Sequence, residues 1–599
     1  MFDPIVPHAE GVLTPAWTNW AVPGLDALLQ PQPLSTNLGD LLFDLAATTE
    51  ALTLADKSPD GLIPLVIQEL QGTSATVNNR SSVINQPPFY DGPDTLLGDM
   101  SASVKDADLP DWLLSSGTHL WQNTSANEPA TSNDDTLVGP RDLGSLAGAV
   151  QIDGFVGSRG QTNYQLNLSA EAIGGIRTES GYLWADTFTH QSGYAYTVFS
   201  GNGNVQFGDG YRDLIDLSNI DSSTVSFNLA GINGDGMLHN PGNGMRIFDA
   251  ITLSNGEQIL FEGIDTLSFA DGDLNLSTIP NDPYFGYQWN LHMMGVHNAW
   301  RFTTGSADDV LVGVQDTGLM LDFNGAMHTD LDANRTYVDL QNYSDESLDA
   351  SHGAAVQSII AAATNNNSSM SGINWASNVL HLDVLGGEST DYDLADATEM
   401  MINEAARNDQ RLVINMSLGL DSQGTVGISP NLERLIANHQ EDVLFVIATG
   451  NDDQNYLSYP ANLANLYGNV MAIGASWGMQ DVDGNPKVPG DRISYPGWWG
   501  SNFGYGMSLM GPSEVVAAES APWNVHGYTG VFNGTSAATP NVAGVASLVW
   551  SANPDLAATE VHQILAQTAY DLGIPGYDQI YGNGFVNADA AVRQALAWS

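Results

Sequence analysis

The sequence predicts an α/β protein: a parallel sheet covered on both faces in the C-terminal half, preceded by a mainly β N-terminal region. Three observations carry this expectation. After about residue 283, short β-branched runs alternate with Ala-rich, helix-length segments, the pattern of strands buried between helices. Between Asp135 and Asp273, strand-like runs are punctuated by Gly, Asn and Asp instead. The first 130 residues are rich in Pro, Asn, Ser and Thr and read as a loosely organised leader. Three regions follow: residues 1–130, a β-rich stretch at 131–278, and an α/β domain at 279–599.

In chain order, the leader holds two helical stretches, Leu25 to Leu29 and Leu38 to Leu54. The β-rich stretch contains strand candidates at Tyr164–Leu168 and Gln258–Phe261, and it ends at a Pro and Asp linker, Ile279–Pro283. The α/β domain offers strands at Asp309–Val314, Val379–Val384, Leu412–Asn415, Val443–Ile447 and Val470–Ile473. Helices are expected at Ala354–Ala363, Ala395–Asn408, Asn431–Asn438 and Ala537–Trp550. The last is built from small residues with Val542, Val545, Leu548 and Val549, so it reads as a buried helix. In such sheets ligands lie beyond the carboxyl ends of the strands.

Composition narrows the function classes. A chain of 599 residues with 43% hydrophobic content holds several real cores. With 69 acidic against 16 basic residues, the formal net charge of -53 excludes a nucleic-acid partner and favours solubility or a cation-rich setting. The absence of cysteine rules out disulfides, thiolate zinc sites and a Cys nucleophile, which leaves catalysis to oxygen and nitrogen groups. No apolar run is long enough to span a bilayer, and the N-terminus shows no basic segment followed by an apolar one, so no cleavable signal peptide is visible.

Along the predicted strand ends stand Asp316 after the first strand, His352 before the first core helix, Asn451 after Ala448-Thr449-Gly450, and Ser536 in Gly534-Thr535-Ser536 before the last large helix. A serine nucleophile needs a base, the base needs a carboxylate to fix its tautomer, and the oxyanion needs donors. The chain supplies one of each. His328, in a loop, and His381, within a strand, are alternative imidazoles that read as structural or surface residues.

Val314-Gln315-Asp316-Thr317-Gly318, His352-Gly353-Ala354-Ala355-Val356, Ala448-Thr449-Gly450-Asn451 and Gly534-Thr535-Ser536-Ala537-Ala538-Thr539-Pro540 together resemble the motifs of the subtilases, the subtilisin-like serine peptidases. The resemblance covers roughly residues 282–599. It implies a subtilisin-like catalytic domain and serine endopeptidase activity, with Asp316 orienting His352, His352 as general base and acid, Ser536 as nucleophile and Asn451 as oxyanion donor. Ala354 and Ala355 depart from the family's usual Thr and His, and Ala537 and Asn541 replace its common Met and His. These changes put the positioning of the base most in question. Ser417-Leu418-Gly419 and Leu385-Gly386-Gly387 resemble the two walls that pair with an extended substrate backbone. Asp452 and Asp453 favour cationic side chains if they face the cleft, and are otherwise solvated loop residues.

Two further resemblances concern the N-terminal half. The segment from Asp134 to Ser169 is similar to the opening of β-sandwich modules that accompany secreted bacterial peptidases. Ser200–Ile220 and Ile259–Leu274 resemble the flanks of calcium-binding β-roll repeats, although a regular nonapeptide array is missing and acidic turns of a β-sandwich remain the alternative. In the α/β domain, Asp330 and Asn366 fall where the subtilase resemblance implies a structural Ca²⁺, and Asp481–Asn485 forms a second acidic turn. The expected partners are protein or peptide substrates, with no nucleic acid and no membrane span, for a secreted monomer whose leader holds the place of a propeptide. The competing expectation is a calcium-binding or adhesive extracellular protein carrying an inactive peptidase-like domain.

Overall fold

The computed structural model describes residues 175–231, 235–331, 335–338, 351–375, 377–385, 393–419 and 429–598. The helices expected at Leu25–Leu29 and Leu38–Leu54, the strand at Tyr164–Leu168 and the segment from Asp134 to Ser169 lie outside them.

The first described part is a β module of ten strands: β1 (Ile176–Ser180), β2 (Thr187–Thr189), β3 (Tyr196–Ser200), β4 (Leu214–Leu217), β5 (Ser226–Asn228), β6 (Met237–His239), β7 (Arg246–Thr252), β8 (Gln258–Glu262), β9 (Thr266–Phe269) and β10 (Gly272–Asn275). β1, β3 and β8 pair in parallel in one sheet, and β2, β4 and β9 pair in parallel in another. From β1 to β4, and again from β8 to β9, the chain passes from one sheet to the other and winds as a coil, while β5, β6 and β7 add antiparallel pairs to the first sheet. Phe188, Phe199, Ile215, Phe261 and Leu267 fill the space between the sheets. Asp186, Asp213 and Asp265 stand one residue before β2, β4 and β9. The Asp186 N–H donates to Asp213 Oδ1 at 2.7 Å and the Asp213 N–H to Asp265 Oδ2 at 2.9 Å, so the acidic turns clip one coil to the next.

The second part is the peptidase-like lobe. It begins with two short helices, α1 (Trp289–Met293) and α2 (Val296–Ala299), and continues with β11 (Val310–Asp316), β12 (Thr336–Val338), α3 (Ser351–Ala361), β13 (Asn378–Asp383), α4 (Leu394–Arg407), β14 (Arg411–Met416), α5 (Pro430–Asn438), β15 (Val443–Ala448), β16 (Val470–Ser476), β17 (Met507–Pro512), the hairpin β18 (Val515–Ala521) and β19 (Asn524–Phe532), then α6 (Thr535–Ala552), α7 (Ala558–Thr568) and α8 (Ala588–Ala597). Seven strands form one parallel sheet in the order β12-β13-β11-β14-β15-β16-β17. The expected strands and helices are present with ends moved by at most three residues.

Side-chain alternation along the strands builds the two faces. Val310, Val312 and Val314 pack with α3 and α6, whereas Leu311 packs with α4 and α5 on the opposite side. All 18 residues of α6 are buried, as its small-residue composition predicts. β11 is flanked by β13 and β14, the place where connections diverge and a crevice opens beyond the strand ends.

Candidate active site

β11 carries Asp316 as its last residue, at the mouth of that crevice. His352 is the second residue of α3, inside its first turn and not before the helix as expected. The two buried side chains meet, with His352 Nδ1 2.5 Å from Asp316 Oδ1. The Thr317 N–H donates to the same carboxylate oxygen at 2.8 Å, and Thr317 Oγ1 accepts from the Gly353 N–H at 2.9 Å. A Cβ at Gly353 would lie 2.3 Å from the Thr317 carbonyl, so only glycine lets α3 sit this close to the aspartate loop. His381, predicted to be structural, is buried beneath: its Nε2 lies 2.7 Å from the Thr317 carbonyl and its Nδ1 3.0 Å from Gln357 Oε1. Burial holds His381 below the usual imidazole range, which keeps it a neutral prop. Ala354 and Ala355, the departures of the histidine motif, are packed in apolar clusters, so apolar packing has replaced polar contacts there. The Phe532 ring closes over His352 edge-on, with centroids 5.3 Å apart.

Ser536 lies in the first turn of α6 behind Gly534, whose φ of 82° is a left-handed conformation that favours glycine. Two reciprocal bonds tie it to the end of β14: Ser536 Oγ donates to the Ser417 carbonyl at 3.1 Å, and Ser417 Oγ donates to the Ser536 carbonyl at 2.9 Å. Pro540 accounts for the second bond. It stands four residues after Ser536 and has no N–H, so the helix offers that carbonyl no donor and the Ser417 hydroxyl fills the gap. Asn451 Oδ1 accepts from both the Thr535 N–H at 2.8 Å and Thr535 Oγ1 at 3.0 Å. With its oxygen engaged, Asn451 keeps Nδ2 as the free donor end, next to Gly534.

The pair Asp316–His352 stands on β11 and α3, and Ser417–Ser536 with Asn451–Thr535 stand at the start of α6; α3 and α6 share a single core. Gly419 and Gly450 both face the Ser458 side chain at close range. Leu418 and Leu385 are buried in the core on the α4 side, while Gly386 and Gly387 lie outside the described residues. Asp453 pairs with Arg492 at 2.6 Å and accepts from Ser494 Oγ at 2.8 Å, and Asp452 accepts from the Tyr456 hydroxyl at 3.1 Å. The two acids therefore have protein partners, where either a cation-selecting cleft or plain solvation was expected.

Asp330 is buried and accepts from the Met370 N–H at 3.1 Å, whereas Asn366 is exposed and its side-chain oxygen accepts from the Ser368 N–H at 2.8 Å. Sequence reasoning passed over Asp282 in the linker. Its carboxylate takes N–H groups from Asn365 and Asn366 and the Ser371 hydroxyl, at 2.7 to 3.0 Å. Burial, reinforced by the Asp282 charge, pushes the Asp330 carboxyl up to about 7 against its own hydrogen bonds. Among the described residues no group of three or more His, Cys, Asp or Glu side chains could hold a metal ion. The Asp481 turn is closed by Lys487, 3.0 Å away, which takes the place a cation would have.

The subtilase family model, Peptidase_S8, matches residues 307–584. The M-protease of Shouchella clausii (strain KSM-K16) is 31% identical over 57% of this chain and 79% of its own length. The chain belongs to the subtilase family. A halolysin-like extracellular serine protease, Nep, of Natrialba magadii is also 31% identical, over 55% of this chain, and this subtilase spans 56% of that relative's length. Among solved structures, a protease of Pseudoalteromonas arctica matches 53% of this chain and 99% of its own at 26% identity, with a TM-score of 0.40.

Proposed function

We propose that this subtilase is a serine endopeptidase working through Asp316, His352 and Ser536 and a covalent acyl-enzyme. The contact between Asp316 and His352 beside the α6 N-terminus carries the reading. A carboxylate on Nδ1 fixes the neutral ring with its proton there, which makes Nε2 the basic nitrogen. In the proposed cycle, Ser536 Oγ leaves the Ser417 carbonyl by rotation about χ1, gives its proton to His352 Nε2 and attacks the peptide carbonyl carbon. The oxyanion takes the Asn451 amide N–H. His352 then returns the proton to the departing amine, and water repeats the steps in reverse order to release the acid and restore Ser536.

The substrate is an extended protein or peptide segment lying along the backbone of Ser417–Gly419 as an added strand. Backbone pairing suits flexible or unfolded chains. Asp453 is paired with Arg492, which argues against its selecting a cationic side chain. We place the enzyme outside the cell as a monomer, in line with its acidity and with extracellular serine protease among its relatives' names. No helix among the described residues is long and apolar enough to cross a membrane.

A structural Ca²⁺ bound near Asp330, Asp282 and the Asn366 loop fits this site chemically: the donors are all oxygen, and the Asp282 charge raises the buried Asp330 carboxyl with no cationic side chain of the described residues opposing it. The midpoint of thermal unfolding should then fall when a chelator is added and recover with Ca²⁺; an unchanged midpoint refutes the metal. For the activity itself, a fluorophosphonate probe should label Ser536 in the wild type and leave Ser536→Ala unlabelled. Absence of label on folded, processed, calcium-supplied protein would favour the adhesive or calcium-binding alternative.

A further inference from the structure

The β module and the peptidase lobe share an interior. Leu183, Val205, Phe207, Ala230 and Ile247 of the module belong to the same apolar cluster as Leu291, Met293, Trp300 and the helices α6 and α8 of the lobe. Six buried charges line this boundary, and the ion pairs of Asp249 with Arg301 and Arg593 cross it. Asp249 of β7 accepts both arms of the Arg301 guanidinium at 2.8 and 3.0 Å and Arg593 of α8 at 2.7 Å. Arg593 also binds Asp589 at 2.7 Å, the Gly263 N–H donates to Asp589 at 2.9 Å, and Arg246 pairs with Glu262 at 2.9 Å.

Among these six charges, positive and negative balance only across the boundary. On the module side, Asp249 and Glu262 outweigh Arg246 by one negative charge; on the lobe side, Arg301 and Arg593 outweigh Asp589 by one positive charge. Within the docked interior, removing one partner of this network strands a buried charge, which is strongly destabilising. The backbones are fitted as closely as the charges. A Cβ at Gly203 would stand 1.7 Å from the Met293 carbonyl, and the Asn204 N–H donates to the His292 carbonyl at 3.0 Å. A second pair, Asp265 with His297 at 2.9 Å, bridges the same boundary.

We propose that residues 175–278 are a permanently docked half of the working enzyme, which stays bound to the peptidase lobe even when the connector between them is cut, and is not discarded with any N-terminal pro-segment. The inference stands whether or not the lobe is catalytic, because its test reads binding. Ile279 in the connector is half exposed, which makes it a suitable point for a cut. A recognition sequence for a site-specific protease, inserted after Ile279 in the full chain carrying Ser536→Ala to prevent self-digestion, allows the native protein to be nicked. The two fragments should co-elute on gel filtration at about 1 M NaCl and melt in one transition, because buried charges are little screened. Nicked Asp249→Ala should release the module or melt earlier. Fragments of the unsubstituted nicked protein that separate under native conditions, leaving a lobe with its melting midpoint intact, would overturn the proposal. So would wild-type enzyme that has lost 175–278 and still takes the fluorophosphonate label.

Discussion

At the residue scale, the proposed chemistry depends on small fixed contacts that single substitutions can test. Asp316→Asn keeps the shape of the site but removes the carboxylate that selects the His352 tautomer, and kcat should drop by about 10⁴-fold with little change in KM. Asn451→Ala removes the amide proposed to meet the oxyanion, with an expected loss of about 2.7 to 4 kcal/mol of transition-state stabilisation, the size typical of one oxyanion-hole donor. Steady-state kinetics at saturating and limiting peptide separate these effects from binding. Both residues were legible because each terminates or follows a strand in a short motif. Asp282 was not, since its role arises only when the linker folds back on the Asn365–Ser371 loop, a contact between segments more than eighty residues apart.

At the scale of elements, α6 shows how one residue sets the pose of another. Its buried, small-residue character could be read directly, but the reciprocal Ser417–Ser536 bonds could not, because the two serines are 119 residues apart in sequence. Pro540→Ala tests their origin: the new N–H competes with Ser417 Oγ for the Ser536 carbonyl, which draws the first turn into regular helix. Stability should hold or rise while kcat falls by about tenfold or more, as measured by thermal melts beside kinetics. A different element, the turn between β17 and β18, contains Glu514, which receives the Tyr495 hydroxyl at 2.7 Å. Burial pushes its carboxyl up to about 7, with the Asp481 charge adding to this and Tyr495, the Val482 N–H and Lys487 opposing it. A folded-state value above the ordinary 4.5 means stability is full below pH about 4.5 and is lost as pH rises through about 7. Glu514→Gln should flatten that decline in melting midpoint between about pH 5 and pH 8.

At the scale of the whole molecule, the division into a β region and an α/β region was legible from the change of texture near residue 280, and their union was not. The coil pairs strands distant in sequence, and the shared core joins Ile247 to α8 across more than three hundred residues. A net charge of -53 opposes any association of the two parts, so the boundary must hold through its buried contacts. Asp249 makes this measurable. Burial alone would raise its carboxyl, but Arg301 and Arg593 override that and hold it down at about 2, below the ordinary 3.8. A depressed carboxylate contributes stability above its unfolded value, on the order of 2 kcal/mol here, and loses it as pH falls toward 2. Other carboxylates titrate over the same range, so the wild type alone is ambiguous. Asp249→Asn isolates the term: it should melt well below the wild type at about pH 6, and the gap should shrink as pH falls below about 4, closing near about pH 2. A gap that stays constant over that whole range would mean that the Asp249 charge does not hold the boundary, and that apolar packing alone binds the module to the lobe.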